Sequence, residues 1–190
     1  ALTLQSATTE NAPAAMVENG HLAAALLHAA QQAPSIQLQG GFDFSHFELT
    51  AGKIALHAKH GTSQSAPLLV AADGRNSSVR GQLGIAVSTH DYGQTALSFA
   101  ITHTLPHNHI AEEHFTPDGV FAVLPLVGER CSIVWGTAPS EAEHLMGLDE
   151  DSFNTALQQR MGSRLGGVKL AGRKAAYPLS RLIAHECIGP

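Results

Sequence analysis

The densest chemistry in the chain lies between Leu68 and Arg80, LLVAADGRNSSVR, where an apolar run ends at a carboxylate and a glycine and then turns basic and hydroxylic. If a strand ends at Ala72, Asp73 stands at its carboxyl end. Gly74 then lets the chain bend with no Cβ in the way, and Asn76 or Ser77 can cap a following helical turn. Such a shelf suits a ligand with hydroxyl and phosphate groups. The carboxylate can accept from a ribose hydroxyl, while N–H groups at a helix start and the guanidinium groups of Arg75 and Arg80 can face phosphate oxygens. The competing reading is a plain strand-to-turn exit, since Asp-Gly is among the commonest turn dipeptides. The dipeptide alone favours the turn.

Other chemistries lack their parts. The chain has 12 histidines, and His103, His107, His109 and His114 fall close together, which suits zinc or nickel. His109 and His114 are spaced so that they would not share a helix face, and Pro106 and Asn108 mark a loop, so no metal ligand is assigned. There is no Gly-x-Ser-x-Gly elbow and no glycine-rich string ending in Gly-Lys-Ser/Thr. The run DFSHFE gathers Asp43, Ser45, His46 and Glu48, but catalytic triads are assembled from residues distant in sequence, and the run reads as an exposed strand and turn.

Composition narrows the class. A chain of 190 residues with 44% hydrophobic content and a net charge of −5 is an ordinary globular one, and its 11 Lys and Arg are too few and too scattered for a nucleic-acid surface. No run reaches the roughly 18 apolar residues that span a bilayer. No cationic leader precedes an apolar segment, so no secretory signal is expected. Cys131 and Cys187 are too far apart for a disulfide framework or a metal knuckle, which makes a reducing, cytoplasmic setting the default.

Periodicity supplies the elements that must hold the shelf in place. In VENGHLAAALLHAAQQAP, Leu22, Leu26 and Ala29 recur at helical spacing between a capping Asn19 and a closing Pro34. FELTAGKIALHAKHG reads as a hairpin turning near Ala51-Gly52, and Pro67–Ala72 as a buried strand. TALSFAITHTL and GVFAVLPLVGERCSIVWGT read as longer strands, with Gly128-Glu129-Arg130 as a turn. Asp149 or Asp151 can cap a helix that presents Phe153, Ala156, Leu157 and Met161 to one side. The tail mixes a strand-like run with a break at Tyr177-Pro178.

Taken whole, Ala72-Asp73-Gly74 followed by Ser77 and Arg80, entered from an apolar strand, resembles the Asp-Gly motif of the flavin-dependent aromatic hydroxylases, the para-hydroxybenzoate hydroxylase group. EHFTPDGVFAVLPLVGERCSIVW resembles the substrate-sheet segment of the ubiquinone-biosynthesis branch, the 2-polyprenylphenol hydroxylases. AAYPLSRLIAHECIGP resembles their return segment, and MVENGHLAAALL their helix before the β-meander. The order of these pieces carries the resemblance across the full chain.

The resemblance implies a mixed α+β fold, with a β-sheet substrate domain joined to an incomplete FAD-binding α/β portion. Residues 1–12 would be the first strand of the substrate domain. Residues 13–84 would be part of the FAD-binding domain, 85–176 the substrate sheet and 177–190 the return towards the FAD-binding domain. It implies FAD held with the help of Asp73, Gly74, Arg75, Ser77 and Arg80, NAD(P)H as co-substrate, and hydroxylation of a polyprenylated phenol. The partners would be that phenol and other ubiquinone-biosynthesis proteins, in a cytoplasmic setting that allows peripheral contact with the inner membrane.

Since such chemistry is done by the flavin, no catalytic side chain is named. The family's Gly-x-Gly-x-x-Gly and its later Gly-Asp motif are not in the sequence, so this segment alone is expected to be folded but not to retain FAD. Two rival readings are a non-catalytic scaffold module and a related hydroxylase of a soluble aromatic acid.

Phe115, Phe121, Leu124, Trp135 and Tyr177 are candidates for an apolar substrate wall, although strand residues of this kind are more often plain core. Alternation puts Phe121 and Val123 on one side of their strand and Ala122 and Leu124 on the other. One face of the sheet is expected to border a cavity with Tyr177 near its rim, and the other to meet the helix carrying Phe153 and Leu157.

Overall fold

The computed structural model describes residues 14–50 and 52–189. The strand expected over residues 1–12 lies outside them, as does Ala51 of the hairpin turn. The fold is mixed α and β with two antiparallel sheets, one of three strands and the other of five. The described residues divide into two compact units, one of residues 14–26 and 91–179 and the other drawn from residues 27–90 and 180–189. One passage between them falls inside the helix Asn19–Gln32, and the other two fall inside the long strands Val87–His103 and Val168–Ala184, near the expected boundaries at 84/85 and 176/177.

The first unit is built on β4 (Val87–His103), β5 (Glu112–Thr116), β6 (Gly119–Pro125), β7 (Arg130–Thr137) and β8 (Val168–Ala184), with helices α3 (Pro139–Gly147) and α4 (Glu150–Met161). Register aligns Phe121, Trp135 and Leu97 in one row across β6, β7 and β4, and Val123, Ile133 and Phe99 in the next. These large side chains form a single buried core with Ala142, Leu145, Phe153 and Leu157 of the helices. Asp149 caps α4, its Oδ1 accepting from the Ser152 amide at 2.8 Å, which decides between the two capping aspartates. Gln158 and Asn154 then tie α4 to β8, accepting from the Val168 amide at 2.9 Å and the Leu170 amide at 2.7 Å.

Two backbones meet closely where β6 begins. Gly119 has φ +136°, and a Cβ there would overlap the Gly136 carbonyl, so only glycine satisfies both the conformation and the approach.

The second unit holds α2 (Ser78–Gln82) and a small sheet of β1 (Phe44–Thr50), β2 (Lys53–Ala58) and β3 (Ser63–Ala66). The expected hairpin is β1-β2, and Ser63–Ala66 adds a third strand that polar residues had disguised. The remaining helix, α1 (Asn19–Gln32), forms as its periodicity requires, but none of its residues is buried.

Two expectations fail. Pro67–Ala72 is neither a strand nor buried: the segment is irregular, and Leu68 and Val70 are 72% and 77% exposed. An apolar run becomes a strand only when a neighbouring edge accepts its hydrogen bonds, and none of the described strands pairs with it. The break expected at Tyr177-Pro178 is absent, because β8 runs through it. β8 is the last strand in its sheet, where the missing Pro178 N–H can face away from the ladder.

Phe153 is fully buried and meets Phe99 edge-on at 5.1 Å, with Lys174 Nζ 4.3 Å from its ring centre. Phe153→Ala is expected to cost about 3–5 kcal/mol, read as a lower urea midpoint for the sheet unit.

Candidate functional site

Asp73 is the organising residue of its loop. Its Oδ2 accepts from the Ser78 amide at 2.8 Å, the Val79 amide at 3.4 Å and the Ser78 hydroxyl at 3.4 Å, so the carboxylate closes over the start of α2. Ser77 is the N-cap, accepting from the Arg80 amide at 3.0 Å. Gly74, at φ +84°, makes the bend between them, and nothing lies within 4 Å of where its Cβ would stand. The Ser77 hydroxyl, working against desolvation and helped by the Val79 and Ser78 amides, holds the Asp73 carboxyl below the usual carboxylate range.

The two arginines are engaged within the same unit. Arg75 donates from Nη1 to the Ser180 carbonyl at 3.2 Å and from Nη2 to the Ser180 hydroxyl at 2.8 Å. Arg80 Nη2 donates to the Arg75 carbonyl at 2.8 Å. Gln82, at the end of α2, bonds the Ser45 carbonyl at 2.8 Å and the Phe47 amide at 3.4 Å, fixing the short helix to β1. The sequence names Asp73, Gly74, Arg75, Ser77 and Arg80, and the structure gathers all of them around one turn. Ser180 and Gln82 were missed, and a single sequence carries no signal linking Arg75 to a residue 105 positions away.

The expected wall residues do not share one surface. Phe121 and Trp135 are buried on the face that meets α3 and α4, 5.5 Å apart and edge-to-face. Arg160 lies over both rings, 5.3 and 5.8 Å from their centres, and donates to the Thr116 hydroxyl at 3.0 Å. A cleft of about 220 Å³ opens there, lined by Phe121, Val123 and Met161 together with the polar His114, Thr116, Arg160 and Arg164, so of the expected wall residues Phe121 does border a cavity. Leu124 points to the opposite face, with Ala122, Val134, Ser132, Ser98 and Ala100. Phe115 on β5 is 78% exposed and Tyr177 on β8 is 58% exposed. Alternation therefore assigns Phe121 and Trp135 to the core, and leaves Leu124 on the surface that the helices do not cover.

Among the expected loop histidines, His107 Nε2 donates to the Leu126 and Gly128 carbonyls, both at 3.1 Å, while its Nδ1 accepts from the His109 amide at 2.9 Å. That ring is saturated by backbone and is a turn-former.

The family model described as "FAD binding domain" matches residues 3–185. The ubiquinone hydroxylase UbiL of Rhodospirillum rubrum is 34% identical over 173 residues, which is 91% of this chain and 40% of that protein. The 3-demethoxyubiquinol 3-hydroxylase of Escherichia coli is 30% identical over 175 residues, 92% of this chain and 44% of that protein. The chain thus spans less than half the length of these relatives. Among solved structures, the flavin-dependent monooxygenase PieE, in complex with FAD and substrate, superposes with a TM-score of 0.68 at 16% identity. The match covers 89% of this chain and 31% of that one, a likeness of fold.

Because the Asp73 carboxyl titrates lower in the folded loop than in the unfolded chain, its anchoring of α2 is complete at neutral pH and is lost as pH falls through the depressed value. A carboxyl-resolved NMR titration should find Asp73 below the ordinary range, and Ser77→Ala should raise it. An unshifted Asp73 would mean that the loop does not close in solution.

Proposed function

The chain belongs to the FAD-binding-domain family, and on that premise we infer that the protein containing it is an FAD-dependent monooxygenase of ubiquinone biosynthesis. It hydroxylates the ring of a polyprenylated phenol with NAD(P)H and O2. The observation that carries this reading is the alignment of nine-tenths of the chain with two hydroxylases named for ubiquinone chemistry. The reaction balances as one oxygen atom inserted into a ring C–H bond and the other released as water, with NAD(P)H supplying two electrons. FAD, when bound, supplies the electron relay and the activation of oxygen.

The Asp73 loop fits such a group. Three hydrogen bonds to its carboxylate reach Oδ2, and the residue is exposed, so the carboxylate stays accessible to an external hydroxyl donor. The space over Gly74 is open to a close approach by a ligand. Asp73 and Gly74 would hold FAD directly. Ser77 fixes the turn that presents them, and Arg75 and Arg80 brace it, each with further N–H groups that can serve phosphate oxygens.

The substrate side belongs to the sheet face carrying Leu124, Val134 and Ala100, whose small residues leave room for a flat ring. Tyr177 and Phe115 offer exposed aromatic surface in the same unit, suited to a prenyl tail. The protein's own task is to orient the ring and exclude water. So apolar a substrate favours work at the inner membrane surface alongside other proteins of the pathway, by peripheral contact. Among the described residues no helix is long and apolar enough to cross a membrane.

In the full-length protein, Asp73→Ala is expected to lower FAD content after purification or to slow flavin reduction, with far-UV circular dichroism unchanged. Unaltered flavin content and reduction kinetics would return Asp73 to a purely structural role. Product analysis tests the reaction itself: a hydroxylated polyprenylphenol should form only when FAD, NAD(P)H and O2 are all present. Turnover of soluble aromatic acids alone would overturn the substrate assignment.

A further inference from the structure

A second cluster of reactive groups lies on the three-stranded sheet, independent of the Asp73 loop. Register sets His46 opposite His57, and His57 opposite Ser63, so one row crosses all three strands. Glu48, two residues from His46, projects from the same face one row further on. The pairing between β1 and β2 is irregular between Phe44 and His46, a local shift of the kind that re-aims side chains.

The two imidazoles stack, 4.6 Å between centres and 13° from parallel. Their Nε2 atoms both turn toward Glu48, His46 Nε2 standing 3.8 Å from Oε1 and His57 Nε2 3.8 Å from Oε2. All three potential donor atoms lie within 4.8 Å of one another.

The outer nitrogens explain why the inner ones converge. His57 Nδ1 is 2.9 Å from the Ser63 hydroxyl, and His46 Nδ1 is 3.3 Å from the Ser45 hydroxyl. With Nδ1–H donated to serine, each ring keeps its lone pair on Nε2, the tautomer a metal ion needs, and is held in orientation by its neighbour. His57 Nε2 is buried and has no hydrogen-bond partner. A buried acceptor left without a donor is costly, and a cation between it and Glu48 would satisfy it.

From this geometry we propose that His46, Glu48 and His57 form a binding site for a divalent first-row transition ion, with zinc as the reference case. Two imidazole nitrogens and one carboxylate oxygen suit zinc, copper(II) or nickel far better than magnesium or calcium, which take oxygen. Tetrahedral zinc at about 2.0–2.1 Å from nitrogen sets its donors roughly 3.4 Å apart. The exposed side chains of His46 and Glu48 can close the remaining distance by rotating about their own bonds. The fourth position is left to water. Bound there, the ion ties β1 to β2 across their hairpin and stabilises the small sheet.

The test is a titration of the full-length protein, stripped with chelator, by Zn²⁺ in a calorimeter and by Co²⁺ followed through its visible absorption. One equivalent should bind in the micromolar range. His46→Ala and His57→Ala should each weaken it at least about tenfold, and Ser63→Ala, which removes no ligand, by about tenfold through the loss of ring orientation. Since alanine at position 57 can disturb the hairpin, Glu48→Gln serves as the shape-preserving variant. It should lose at least about tenfold in affinity with unchanged far-UV circular dichroism.

With 12 histidines in the chain, His109→Ala/His114→Ala is the control and should keep the equivalent. An equivalent that survives in His46→Ala/His57→Ala, an affinity unmoved by Glu48→Gln, or no binding up to roughly 100 µM zinc would each overturn the site.

Discussion

Strand alternation is the constraint from which the arrangement of the larger sheet follows. Along β4, β6 and β7 the large apolar residues Leu97, Phe99, Phe121, Val123, Ile133 and Trp135 all fall on one parity, and register stacks them into rows that only a pair of helices can cover. The other parity holds Ser98, Ala100, Ala122, Leu124, Ser132 and Val134, mostly small. A one-residue slip in any strand would exchange the two faces, placing rings against solvent and serines against Phe153. Polar side chains of α4 add a second level of control, since Gln158 and Asn154 accept backbone amides of β8 and fix where that strand begins.

The same constraint explains what could and could not be read from the sequence. The helices at Asn19 and Asp149, the β1-β2 hairpin and the long strands were legible because each is local: a periodicity, a cap or a turn dipeptide. The strand at Ser63–Ala66 was not, since its four residues are polar or small and its pairing with β2 supplies the signal. Pro67–Ala72 fails in the opposite way, having strand composition without a described partner edge. Pro178 suggested a break that an edge position makes unnecessary. Of the candidate wall, parity was legible and its consequence was not drawn: aromatic rings that look suited to a ligand are the ones a core claims first.

The Asp73 loop shows how far such a turn organises itself. The five residues singled out in the sequence do converge, but most of their bonds are to one another or to neighbouring backbone. Asp73 caps α2, Ser77 caps it again, Arg80 holds the Arg75 carbonyl, and Arg75 reaches Ser180. Gln82 then anchors the helix to β1. The turn reading and the ligand reading of Asp-Gly are therefore not exclusive, since a loop that must present a carboxylate in one position first has to hold it there.

This resolves an electrostatic difficulty in the proposed role. A carboxylate facing a pyrophosphate would repel it unless its charge is already compensated, and the whole chain is acidic, at −5. Asp73 meets that condition locally. The Ser77 hydroxyl and the Ser78 and Val79 amides bring donor dipoles to the carboxylate, which is also why its titration is displaced downward. In the proposed role such a carboxylate would accept from a sugar-like hydroxyl, while the N–H groups left on Arg75 and Arg80, close by in sequence, would serve an anion. Asparagine at position 73 would keep an acceptor for the amides but weaken the cap and supply donors where acceptors are wanted. In the proposed role the carboxylate would thus serve the loop and the ligand at once.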